Sequence, residues 1–167
     1  MISFKNHSGV HTLNASQELP ISIDHAWDFF SSPGNLVKIT PEQMGFRITS
    51  EVAETMYSGQ IITYKVGIFP GISTNWVTEI TQVDQPNFFI DEQREGPYAM
   101  WHHEHRFLSV PGGVLMSDKV TYKVPLGILG NFMNKIYIQN ELRKVFQYRE
   151  KVLNKLFPSE QAAPQTT

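Results

Sequence analysis

Cysteine is absent from the chain. That excludes disulfides, thiolate metal centres and cysteine nucleophiles. A charge excess is nearly absent too: 14 Lys and Arg against 16 Asp and Glu leave −2, with an isoelectric point near 6.3. A chain without a basic surplus lacks the footprint of a nucleic-acid binder. No apolar run approaches the ~20 residues of a transmembrane helix. The opening Met1-Ile2-Ser3-Phe4-Lys5-Asn6-His7 has no apolar stretch of signal-peptide length and no small-residue cleavage site. We therefore expect a cytoplasmic protein with no membrane span and no nucleic-acid partner. There is no Gly-x-Ser-x-Gly elbow, dinucleotide fingerprint, phosphate-loop lysine or His-Glu-x-x-His zinc motif. No cofactor is assigned, and nothing specifies an oligomeric state.

What is present reads as one domain. A length of 167 residues is close to the soft prior of ~150 per domain. At 41% hydrophobic and 18% charged the composition is globular, and a chain of this size buries roughly 70% of its unfolded surface without staples. The polar end, Pro158 to Thr167, reads as a frayed tail, leaving 1–157 as the folded unit. The aromatic content is high: 3 Trp, 6 Tyr and 11 Phe, for which a core is the plain explanation.

Hydrophobic periodicity divides the chain in three. His11 to Ile21 alternates loosely and reads as an opening strand. Ile23, Ala26, Trp27 and Phe30 follow the i, i+3, i+4, i+7 spacing of one helix face, capped by Ser22 and stopped by Pro33-Gly34. Thr40-Pro41-Glu42-Gln43 starts a second short helix that Gly45 ends. Six strand candidates follow: Phe46–Val52, Ile61–Ile68, Thr74–Val83, Phe88–Arg94, Met100–Val110 and Val114–Val124. Their connections are too short for parallel crossovers, so the sheet should be antiparallel. After Pro125-Leu126-Gly127 a helical stripe runs from Leu129 to Phe157, roughly 43 Å if continuous. The economical packing is α+β: a seven-stranded curved antiparallel sheet around a long C-terminal helix, with two short helices after the first strand.

Strand parity says which side chains meet inside. On Met100–Val110 the even residues are mostly charged and face water, so Trp101, His103, His105 and Phe107 face inward. On the next strand Met116, Asp118, Val120 and Tyr122 form the inner row. If Gly112-Gly113 is the centre of the hairpin, Phe107 faces Asp118, His105 faces Val120 and His103 faces Tyr122. Phe88–Arg94 has two registers: one turns Phe89, Asp91 and Gln93 inward beside His105, His103 and Trp101, the other Phe88, Ile90, Glu92 and Arg94. Trp76 shares a face with Thr78 and Ile80.

These inner rows have two readings. The plain one is a satisfied polar cluster inside a core. The functional one is a mixed pocket in which Asp91, His103, His105, Asp118 and Tyr122 orient a ligand, Trp76, Trp101 and Phe107 supply aromatic surface, and Phe132 and Ile136 of the helix stripe contribute apolar wall. His103-x-His105 with Asp91 or Asp118 also has a metal-ligand spacing, but any strand gives that spacing, and no metal is assigned. The apolar loop Gly67–Ser73 reads as a hairpin tip.

The segments Ser22–Phe30, Gly45-Phe46-Arg47-Ile48, Gly96-Pro97-Tyr98…Trp101-x-His103-x-His105-x-Phe107 and Asp118-x-Val120-x-Tyr122-x-x-Pro125-x-Gly127-x-x-Gly130 resemble the bacterial SRPBCC proteins. These are the START-related, polyketide cyclase/dehydrase-like group with the helix-grip fold, and the subgroup in question is the "ligand-binding SRPBCC domain". The resemblance covers about residues 3–157. It implies a hydrophobic cavity between sheet and C-terminal helix and favours the register with Asp91 and Gln93 inside. The expected function is binding of a small, largely apolar molecule: aromatic, lipid-like or polyketide-like. One alternative is a cyclase/dehydrase-type enzyme in which His103, His105 and Asp118 move a proton and Tyr122 or Gln93 stabilises an enolate. Another is a non-catalytic module that works with a sugar-nucleotide epimerase-like protein.

Overall fold

The structure, a computed structural model, describes residues 1–69 and 72–159. Among these the strands are β1 (Ile2–His7), β2 (Val10–Leu19), β3 (Arg47–Ile48), β4 (Gln60–Phe69), β5 (Ile72–Asp84), β6 (Phe88–Glu95), β7 (Met100–Val110) and β8 (Gly113–Lys123). They form one antiparallel sheet in the order β1-β2-β8-β7-β6-β5-β4-β3. The helices are α1 (Ile23–Phe30), α2 (Pro33–Leu36), α3 (Gly127–Met133) and α4 (Gln139–Leu156). No helix among the described residues is long and apolar enough to cross a membrane.

The expected α+β architecture is present, with three corrections. The sheet has eight strands among the described residues, not seven. The chain's first residues, too polar to read as a strand, pair with β2 across a turn at Ser8 and Gly9, both at positive φ. The segment Phe46–Val52 is strand only at Arg47–Ile48. Between β2 and β3, Pro33 opens α2 at its first turn instead of merely ending α1, and 3₁₀ turns follow at Val37–Ile39 and Glu42–Met44. Of the loop Gly67–Ser73, Pro70 and Gly71 lie outside the described residues, as does 160–167 of the tail.

The β7–β8 hairpin turns on Pro111-Gly112, one residue earlier than the glycine pair suggested: Val110 pairs with Gly113. Proline presets the φ of the first turn position, and Gly112 takes φ +87° at the second. The inner rows still meet, but shifted. His105 now faces Asp118, His103 faces Val120 and Trp101 faces Tyr122. Gly113 is free to be strand, and it is pressed against the backbone of β2. A Cβ there would collide with the Leu19 carbonyl.

The C-terminal helix is interrupted. A π-helical turn at Asn134–Ile138 separates α3 from α4. Each residue inserted into a helix rotates its face by about 100°, so one stripe does not continue across the turn. Buried Asn134 accepts a hydrogen bond of 2.9 Å from the Tyr122 hydroxyl. Phe132 and Ile136 are 59% and 52% exposed. In α4, Leu142, Phe146, Arg149 and Leu153 are buried against the sheet.

The interior has two apolar clusters. One joins Trp76, Tyr98, Val120, Tyr122, Leu142 and Phe146. The other joins α1, through Ala26 and Trp27, to Phe89, Phe107, Met116 and Leu153. Burial of such large side chains contributes about 1.5–3 kcal/mol each. Gly113→Ala should destabilise the protein by about 1–3 kcal/mol or more by overpacking. Chemical denaturation checks this; an unchanged midpoint would contradict the close approach of β2 to Gly113.

Candidate functional site

Three elements pass from one apolar cluster to the other, and each places a polar side chain at the junction. The inner row of β7 runs Trp101, His103, His105, Phe107; that of β8 runs Met116, Asp118, Val120, Tyr122. On α4, Arg149 lies between Phe146 and Leu153. β6 adds Asp91, which pairs with His103, so the register with Asp91 inward is the observed one.

The bonds run crosswise to the strand register. Asp118 faces His105, yet the His103 Nε2–H donates to Asp118 Oδ1 at 2.8 Å. Asp91 faces His103, yet the His105 Nε2–H donates to Asp91 Oδ2 at 2.8 Å. His105 Nδ1 lies 3.0 Å from the same Asp118 oxygen but off the line that a hydrogen bond requires. Arg149 Nη1 is 3.5 Å from that oxygen. The two imidazole centroids are 3.7 Å apart, and His105 stacks on Phe89 at 4.2 Å.

Burial dominates every titration here and is then opposed by the partners. Burial alone would raise both carboxyls. The histidine hydrogen bonds and the Arg149 charge reverse that, holding Asp118 well below the usual carboxylate range and Asp91 below its ordinary value. Burial would lower His105, but Asp118 and Asp91 raise it above 6.5. For His103, burial together with the charge of His105 outweighs the carboxylates and lowers it. The carboxylates and Arg149 thus favour the charged form of His105 over that of His103.

This group ends a cavity of about 190 Å³ between the concave sheet, α1–α2 and α4. Trp76, Asp91, Trp101, His103 and His105 line it, with Arg149, Tyr64, Thr78, Phe89, Tyr98 and Phe146. The remaining expected pocket residues sit elsewhere. Phe107 packs under Trp27 and Phe30, deep in the α1 cluster. Asp118 stands behind the histidines, 5% exposed and off the cavity surface. Tyr122 anchors the π turn instead of lining the wall. The Gln93 amide donates to the Tyr98 carbonyl at 2.7 Å and its oxygen accepts from the Tyr98 N–H, so it positions Tyr98. Phe132, in α3, and Ile136, within the π turn, are exposed and off the cavity. A second cavity, about 370 Å³, adjoins across Met44, Tyr98, Leu142 and Val145 but has none of the buried charges.

Arg149 was the main residue missed. Its signal was a cation at a core position, three residues after Phe146 and four before Leu153. Tyr64, which is hydrogen-bonded to Thr78 at 2.6 Å, and Tyr98 gave no comparable signal. Trp76 Nε1, His105 Nδ1 and Arg149 Nε are the buried side-chain polar atoms without a hydrogen-bond partner among the described residues, and all three residues line this cavity.

No family model and no curated protein matches the sequence. Solved structures do. Protein Ms6760 from Mycobacterium smegmatis superposes with a TM-score of 0.65 at 15% identity, over 93% of this chain and 99% of that one. Ara h 8.0201 matches at 0.62 and 12%, over 89% and 98%. The di-domain ARO/CYC BexL from the BE-7585A biosynthetic pathway matches at 0.69 and 11%; 93% of this chain covers 52% of that one. The chain has the helix-grip fold. At such identities the likeness concerns the fold alone.

Imidazole NMR gives the test of the charge pattern. His105 should titrate with a midpoint above 6.5 and His103 below it; the reverse order would contradict the assignment.

Proposed function

We propose that this chain is a cytoplasmic SRPBCC-type protein of the bacterial ligand-binding subgroup, and that its cavity binds a small, largely apolar ring molecule carrying one or two polar substituents. The observation that carries this reading is an aromatic-walled cavity that ends on Asp91, His105 and Arg149 and is lined by Trp76, whose buried Nε1–H has no partner. A buried donor left unpaired costs about 1–3 kcal/mol, and a ligand acceptor at the polar end would recover that cost. The volume sets the size class: an apolar cavity of about 150 Å³ takes benzene, so about 190 Å³ suits one or two rings. Aromatic walls supply non-directional burial, and Asp91, His105 and Arg149 set orientation. The helix-grip neighbours, with an ARO/CYC among them, support ligand binding in general.

A second reading rests on His103. Its Nε2–H is held by Asp118, which leaves Nδ1 unprotonated beside the cavity, the arrangement of an oriented general base. A bound aromatic ketone would give up an α-proton to Nδ1, and the enolate would draw on the donors of His105 and Arg149.

The test of binding uses 2-naphthol, followed by calorimetry and by quenching of the cavity tryptophans. The wild type should bind it saturably at one site per chain. Ile62→Phe, which fills the cavity from β4, should fold and lose at least tenfold in affinity. Equal binding by both proteins would overturn the cavity reading. For the second reading, 1-tetralone in deuterated water should exchange its α-protons faster with the wild type than with His103→Gln. Equal rates would eliminate base catalysis and leave binding standing.

A further inference from the structure

The two histidines present one nitrogen to each of two carboxylates, and the two sides differ. On the β8 side, His103 Nε2 and His105 Nδ1 lie 2.8 and 3.0 Å from one oxygen of Asp118, which is off the cavity surface and faces Arg149. On the β6 side, His105 Nε2 and His103 Nδ1 lie 2.8 and 3.6 Å from one oxygen of Asp91, and all three residues line the cavity. With Nε2–H given to Asp118, the other nitrogen of His103, Nδ1, faces an Asp91 carboxylate oxygen with its lone pair once the ring is deprotonated for ligation. Two acceptors face each other there, an arrangement that a cation between them would satisfy.

We propose that Asp91, His103 and His105 form a divalent transition-metal site, a two-histidine, one-carboxylate face open to the cavity. Sequence spacing alone was too weak to assign it; the cross-strand carboxylate and the cavity supply what spacing lacked. The three ligating atoms fall within 4.8 Å of one another. Ligands about 2.0–2.2 Å from a zinc ion stand roughly 3.0–3.5 Å apart. The two edges that meet at Asp91, 2.8 and 3.6 Å, bracket that range. The histidine–histidine edge is at most 4.8 Å.

The surroundings match what such a site needs. Metal-bound histidines usually give their other N–H to a carboxylate, which fixes tautomer and ring angle. Asp118 accepts from the His103 Nε2–H and lies 3.0 Å from His105 Nδ1 through the same oxygen. Two carboxylates against one guanidinium leave one negative charge in excess when both histidines are neutral, so a cation that displaces the proton from His105 Nε2 is electrostatically welcome. Three protein ligands leave positions on the cavity side for water or a ligand atom.

This site stands apart from the ring-molecule reading, because a metal binds whether or not an organic ligand enters. The full chain, stripped with a chelator, would be titrated with Co²⁺, read by its visible absorption, and with Zn²⁺ by calorimetry. One ion per chain is expected, with a rise in unfolding temperature. Asp91→Asn and His105→Gln should weaken binding at least 100-fold, and Asp118→Asn about 10–100-fold as an outer-shell change. Should the histidine variant fail to fold, Asp91→Asn, which keeps size and shape, decides. No saturable binding by the wild type would overturn the proposal. So would stoichiometric binding unaffected by Asp91→Asn but lost on replacing the exposed His7 or His25.

Discussion

Asp118 is a carboxylate taken out of water in the middle of a protein, and the rest of the site follows from that cost. An unpaired buried charge costs several kcal/mol. Its compensation comes from His103 and His105 on the neighbouring strand and Arg149 on the C-terminal helix. Asp118 therefore ties sheet to helix in the interior, beside the surface bonds from Gln17 to Glu150 and Asn154. The cavity is the space left on the other side of the two histidines, with Asp91 as its counterpart to Asp118.

The polar layer also organises the aromatics. On one side Trp27, Phe30, Phe89 and Phe107 pack edge to face or tilted, as a core does. On the other, Tyr64, Trp76, Tyr98 and Trp101 form a connected wall whose members all line the cavity. Trp27 and Phe107 of the first group fill space, Phe30 and Phe89 reach the cavity edge, and the second group encloses it. The high aromatic content thus has two causes, separated by five polar side chains.

Much of this was legible in the sequence, because a strand's period of two is robust. Alternating charge on Met100–Val110 identified the inward histidines, and an error of one residue in the turn moved each facing pair without moving any residue to the other face. What could not be read were features set by distant partners. Whether Gly112 or Gly113 ends the turn depends on how closely β2 approaches. The π turn depends on Asn134 meeting Tyr122, and it carried Phe132 and Ile136 out of the expected stripe. Polar β1 becomes a strand only because β2 offers its edge. Arg149 was readable as a charge in an apolar stripe, but its partner was not, since Asp118 lies on another element.

The central claim is that the interior holds a real cavity ending on this charged group. A crystal soaked with 4-bromophenol addresses it directly, because bromine can be located by anomalous scattering. The account predicts one anomalous peak inside the aromatic wall, with the phenol oxygen within hydrogen-bonding reach of His105, Asp91, Arg149 or Trp76. An interior filled by protein side chains, with no peak between sheet and α4, would contradict it.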